Sequence, residues 1–126
     1  MKQLLGFMMG ILLLGSSCEN DVGPLILDPS GGSTSFSGDI QPIFNVNCIG
    51  CHDQFHLQLD LRPCCSYEGL WTLGSGAPYV DPDNPEASKL YRHLTGDLTQ
   101  MPPFGSLPDH EIDMVLKWID EGALDN

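Results

Sequence analysis

The run Cys48-Ile49-Gly50-Cys51-His52 constrains this chain more than any other feature. It places two thiols three positions apart and an imidazole directly after the second. A bare C-x-x-C is ambiguous between a redox dithiol and half of a zinc site. The adjacent histidine narrows the reading to covalent attachment of haem c. Each thiol adds across one vinyl group, so Cys48 and Cys51 become thioethers. His52 is then held beneath the iron as an axial ligand.

The N-terminus reads as a targeting segment. Met1-Lys2 is a minimal basic start, and Leu4 to Leu14 is almost wholly apolar. That stretch is too short for a bilayer, which needs roughly 20 residues, and fits the core of a secretory signal. Gly15-Ser16-Ser17 before Cys18 resembles a bacterial lipoprotein cleavage site, with Gly15 where leucine is usual. The resemblance implies a signal peptide over 1–17, cleavage before Cys18, and lipid on its thiol and new amino group. The alternative is a plain signal peptide cut near Ser17. Export to a periplasmic or cell-surface position agrees with haem c and with an oxidising compartment. Of the five cysteines, Cys18 takes lipid and Cys48 and Cys51 take haem; the neighbours Cys64 and Cys65 remain.

The whole chain carries a formal charge of −12. Phosphate contact needs clusters of Lys and Arg, so nucleic acid is excluded as a partner. Charge-driven adhesion to anionic lipid is excluded in the same way. The acidic surface would favour redox partners with a basic docking patch, or would simply keep the domain in solution.

Residues 18–35 read as the lipidated cysteine and a tether, rich in Gly, Ser and Pro, with an r.m.s. reach of roughly 20–25 Å. Leu25-Ile26-Leu27 is its one apolar patch and a candidate short strand. The folded domain is then 36–126, large enough for one domain with a thin core. A covalent haem would supply much of the missing apolar interior. Three helices can be placed. The first spans about 38–47, with Ile40, Ile43 and Phe44 on one face. The second has Asn84 as N-cap, Pro85 at its first position and Gly96 as C-terminal cap. Its stripe is Ala87, Leu90, Tyr91 and Leu94. The third spans about 109–121, with the stripe Ile112, Val115, Leu116 and Ile119. Loops fill 69–83 and 97–108, and no strand of convincing length is present.

A sixth iron position needs a second ligand. The candidates are Met101, Met114, His56, His93 and His110. Met101 stands out, because it lies in the loop between the second and third helices and precedes Pro102-Pro103. Two prolines restrict the backbone and present a side chain without secondary structure. A thioether favours reduced iron and raises the potential. Met114 falls near the apolar stripe of the third helix and reads as core. His93 and His110 read as exposed, and His56 is too close to the haem motif to reach its opposite face.

The order of helix, N-C-I-G-C-H, capped helix, M-P-P loop and terminal W-I-D-E-G-A helix resembles class I cytochrome c. It is most similar to the short mono-haem domains of bacterial periplasmic and lipid-anchored proteins, over about 36–123. The resemblance implies a small all-α domain of three to four helices around one covalent haem c. It implies His52 and Met101 as axial ligands and an electron carrier rather than an enzyme. It also implies crossing first and last helices, with Ile40, Phe44, Leu116 and Ile119 in contact and Trp118 nearby. A backbone carbonyl after the motif should orient His52, with Arg62 or Pro63 as the expected place. Arg62 and Trp71 are the first candidates for propionate contacts, with Tyr79 and Arg92 behind them.

Cys64-Cys65 departs from that family pattern. Adjacent Cα atoms lie about 3.8 Å apart, under the usual disulfide spacing of about 4.4–6.8 Å. A bridge between them would be strained and relatively reducible, and could form a redox switch or a rigid turn. A free pair, an intermolecular cross-link and an inert turn are the alternatives. Two other roles stay open for the whole chain. One is an accessory subunit or electron-entry domain of a larger redox enzyme. The other is a peroxide- or gas-reactive haem protein with a displaceable sixth ligand.

Overall fold

The computed structural model describes residues 32–55, 58–72 and 78–126. The signal segment, Cys18, the Leu25-Ile26-Leu27 patch and His56 lie outside these residues. Among the described residues all regular structure is helical. The expectation of a small all-α domain holds.

The first helix starts from a reciprocal cap. The Gly38 N–H donates to Ser35 Oγ (3.1 Å), and the Ser35 N–H donates to the Asp39 carboxylate (2.8 Å). A π-helical turn over Phe36–Ile40 leads into α1, Gln41–Asn47. Pro42 falls at the beginning of α1, where the absent N–H costs little. Ile40, Ile43 and Phe44 are buried, as their spacing predicts, and so is Gln41.

Helix α2, Ser66–Trp71, falls in a stretch that carries no helical stripe. It is held by tertiary contacts instead. Ser66 and Leu70 are fully buried, and Tyr67 Oη donates to the Ala123 carbonyl (3.0 Å).

The second expected helix is broken in two. Pro85–Ala87 forms a single 3-10 turn, and α3 runs over Lys89–Thr95. Ser88 between them is extended (ψ 130°), and its buried hydroxyl accepts from the Asp81 N–H (2.9 Å). That bond anchors the break to the preceding loop. Asn84 makes no side-chain cap bond, whereas Gly96 closes α3 at φ 85° as expected. Leu90 and Leu94 are buried, but Ala87 is exposed.

Helix α4 spans Asp109–Asp120. It packs on the first helix, and the fully buried Trp118 ring lies 5.2 Å from Phe36. Phe36 also meets Tyr67 edge-on at 5.1 Å. Ile40, Phe44 and Ile119 join this core, but Leu116 does not. Its side chain is half-buried in a groove shared with Pro85 and Glu86. Val115 and Trp118 fill the core beside Ile119 instead, because these three lie at i, i+3 and i+4 on the inner face of α4.

The first helix and α4 run antiparallel. Asn47 Nδ2 meets Glu111 Oε2 (3.5 Å) at one end. At the other, the Thr34 N–H donates to Glu121 Oε2 (2.6 Å) and the Ser37 N–H to the Asn126 carbonyl (2.9 Å). Lys117 Nζ donates to the Gly32 carbonyl (3.2 Å). Thr34 is buried, so positions 34 and 35, placed in the tether by composition, are fastened to the helical domain. The hydrogen bond from Thr34 holds the Glu121 carboxyl below its ordinary range.

Candidate functional site

The C-x-x-C-H run is the turn that ends α1. The Cys48 and Ile49 N–H groups donate back to the Phe44 carbonyl (2.9 and 3.1 Å). The Cys48 carbonyl in turn accepts from the N–H groups of Cys51 (3.1 Å) and His52 (2.9 Å). One carbonyl therefore gathers the whole motif. Neither Cys48 nor Cys51 is in a disulfide. Cys51 is exposed and Cys48 half-buried. Burial, with the nearby charges of Glu111 and Cys51, pushes the Cys48 thiol up to about 11.

His52 is held from both its ring and its backbone. Its Nδ1 donates to the Leu59 carbonyl (3.2 Å), and its own carbonyl accepts from the Leu61 N–H (2.9 Å). A carbonyl only accepts, so Nδ1 carries the proton and Nε2 is the lone-pair nitrogen suited to a metal. The orienting carbonyl is thus Leu59, not Arg62 or Pro63 as the chain order suggests. The return of the loop at Leu61 brings residue 59 opposite the ring before residue 62 is reached.

A buried polar network braces that loop. Gln41 Nε2 donates to the Leu61 carbonyl (3.0 Å) and to Asn45 Oδ1 (2.8 Å). Ser66 Oγ donates to Gln41 Oε1. Gln41 and Ser66 are both buried, so these bonds are made away from competing water. Arg62 forms a fork with Asp60, through Nε (3.0 and 3.1 Å) and Nη2 (2.6 Å), and reaches Gln54 Oε1 with Nη1 (3.1 Å). The fork keeps the Asp60 carboxyl below its ordinary range. Trp71 ends α2 with its ring tilted against Tyr67, 6.3 Å away. Cys64 and Cys65 are joined in a disulfide.

Met101 lies in the connection from α3 to α4, half-buried, before a cis bond to Pro102. Its N–H donates to the His93 carbonyl (2.9 Å), and its carbonyl accepts from Gln100 Nε2 (3.1 Å). The same amide donates to the Leu94 carbonyl (3.1 Å). Both sides of Met101 are therefore tied to the end of α3. His93 turns its Nδ1 to the Thr99 carbonyl (2.7 Å), His110 is exposed, and Met114 packs against the core. The Asn47–Glu111 contact sets the C-x-x-C-H turn beside the start of α4, the helix that the Met101 loop enters.

The model of the family described as cytochrome c oxidase, cbb3-type, subunit III matches residues 38–119. The chain belongs to this family. Its domain is a c-type cytochrome, and its haem c is covalently bound. Haem-based electron transfer is what such a domain does. No curated protein and no solved structure matches the chain. Four residues of this cytochrome domain were not singled out by sequence: Leu59, Gln41, Ser66 and Gln100. Leu59 acts through its backbone, which leaves no residue-type signal. Gln41 did carry one, as an amide set among the apolar positions Ile40, Ile43 and Phe44.

Proposed function

We propose that this chain is a membrane-tethered mono-haem electron carrier, with Cys48 and Cys51 as thioethers and His52 and Met101 as axial ligands. The donor set fits haem c: two unbridged thiols within one turn, an imidazole whose Nδ1 is already committed, and a thioether on a fixed backbone. The observation that carries the proposal is the hold on His52 by Leu59, immediately after the C-x-x-C turn. Haem c supplies an iron that passes between ferrous and ferric states. The chain's part is to keep its ligands still. The Leu59 carbonyl fixes the tautomer and basicity of His52. The His93 and Gln100 bonds fix Met101, so little ligand movement accompanies a change of charge. With two protein ligands, no position is left for substrate.

Lipid on Cys18 and the segment after it would tether the domain to a bacterial membrane. No described helix is long and apolar enough to cross one. Partners with a basic docking patch would suit the acidic surface.

Absorption spectra of the haem-loaded protein test the ligand assignment. Ferric wild type should show a weak red sulfur-to-iron band, lost in Met101→Ala. Ferrous wild type should refuse carbon monoxide, and the variant should bind it. A spectrum unchanged by the substitution would remove Met101 from the site and bring forward a peroxide- or gas-reactive protein.

A further inference from the structure

The Cys64–Cys65 disulfide lies in the segment that joins the Leu59–Leu61 loop behind His52 to α2. Cross-links stabilise a fold chiefly by closing long loops in the unfolded chain. A bridge between neighbours closes none, so this one contributes least where structural disulfides contribute most. It is also placed for chemistry rather than packing. Cys64 is exposed and Cys65 half-exposed. The Asp60 carboxylate, paired with Arg62, lies within 4.8 Å of both sulfurs.

Its position in the hydrogen-bond pattern is specific. The Arg62 carbonyl accepts from the N–H groups of Cys65 and Ser66 (2.9 Å each), so the pair sits inside one turn. On one side of that turn Ser66 locks onto Gln41, which holds the Leu61 carbonyl. On the other side are Leu61 and Leu59, whose backbone groups hold His52.

We propose that Cys64–Cys65 is a second redox site, exchanging two electrons with a protein dithiol and adjusting the hold on His52. A partner thiolate attacks the exposed Cys64 sulfur. The bond to Cys65 breaks, and Cys65 leaves as a thiolate that takes up a proton. The partner's second thiolate then displaces Cys64, which is protonated in turn. Two electrons and two protons have passed to the pair, and the partner is left as a disulfide. Opening the bridge frees the turn between Arg62 and Ser66. The Leu59 contact with His52 Nδ1 lengthens, the imidazole becomes a weaker donor, and the haem potential rises.

The haem readout rests on the proximal role proposed for His52; the thiol readout does not. Haem-loaded full-length protein is treated with dithiothreitol under native conditions, alkylated, digested and weighed. Cys64 and Cys65 should both be labelled within minutes, without loss of helical circular dichroism. Reduced protein, desalted without oxygen, is compared with the disulfide form by protein-film voltammetry and by NMR of the His52 ring. The midpoint should be higher in the dithiol form, the Nδ1 proton signal should move, and the Cys64→Ser/Cys65→Ser double variant should match the dithiol form in both. A disulfide that opens only on unfolding overturns the proposal. So does a pair that opens while midpoint and ring signals stay in place. A ring spectrum without iron ligation at His52 would overturn the electron-carrier assignment instead, with the thiol labelling still to be read.

Discussion

Cys48 and Cys51 are chemically alike in the sequence and unlike in the fold. Cys51 is exposed, whereas Cys48 is half-buried with its thiol pushed up to about 11. Only thiolate reacts quickly with alkylating agents. Haem-free protein at pH 8 should therefore be labelled at Cys51 first, with Cys48 lagging at least tenfold, as peptide mass spectrometry would read. Equal rates would mean that the Cys48 thiol is not buried beside Glu111 in solution. His52 shows the same contrast between identity and setting. Its place after C-x-x-C is plain in the chain. Its tautomer is decided by the Leu59 carbonyl, seven residues on, and any residue type could supply that oxygen.

Helices were legible where an apolar stripe runs the length of the element, as in α4, or where a glycine closes it, as Gly96 closes α3. Helix α2 is six residues with Gly69 inside it, and short helices gain their stability from packing rather than propensity. The Gly96 cap also serves the site. A Cβ there would approach Gln100 Oε1 to 2.7 Å at a φ of 85°, and Gln100 holds Met101. Gly96→Ala should cost roughly 1 kcal/mol or more in denaturant unfolding and weaken the red ferric band; loss of stability with an intact band would separate α3 from the ligand loop. The junction of the first helix with α4 has its own control in Glu121. Its carboxyl is lowered by the Thr34 hydrogen bond, with Lys117 adding to it. A lowered folded value means that its contribution is complete above the ordinary Glu value of about 4.3 and is lost as pH falls through the lower one. Protection of the Thr34 amide, referred to the intrinsic exchange rate at each pH, should fall through that acid window in wild type and be lower and independent of pH in Glu121→Gln. Protection unaffected by pH would assign the junction to Asn126 and its neighbours.

Across the whole molecule the charge is −12, and the family match covers residues 38–119. Electron transfer to a partner with a basic patch should slow as salt rises, by roughly tenfold or more from low to high ionic strength, in stopped-flow mixing. A rate indifferent to salt would assign the acidic surface to solubility alone. The covalent chemistry was readable in the chain, because C-x-x-C-H brings its groups together through a few consecutive bonds. The all-helical class was readable too, since apolar residues every three to four positions report one buried face. Other features depend on residues distant in sequence meeting in space. They include the Leu59 hold on His52, the Gln41–Ser66 brace behind it, the break at Ser88 and the turning of Leu116 away from the core. Each is settled by which backbone or side-chain group fills a particular gap once the helices cross, and that choice is made by close packing, which no local pattern encodes.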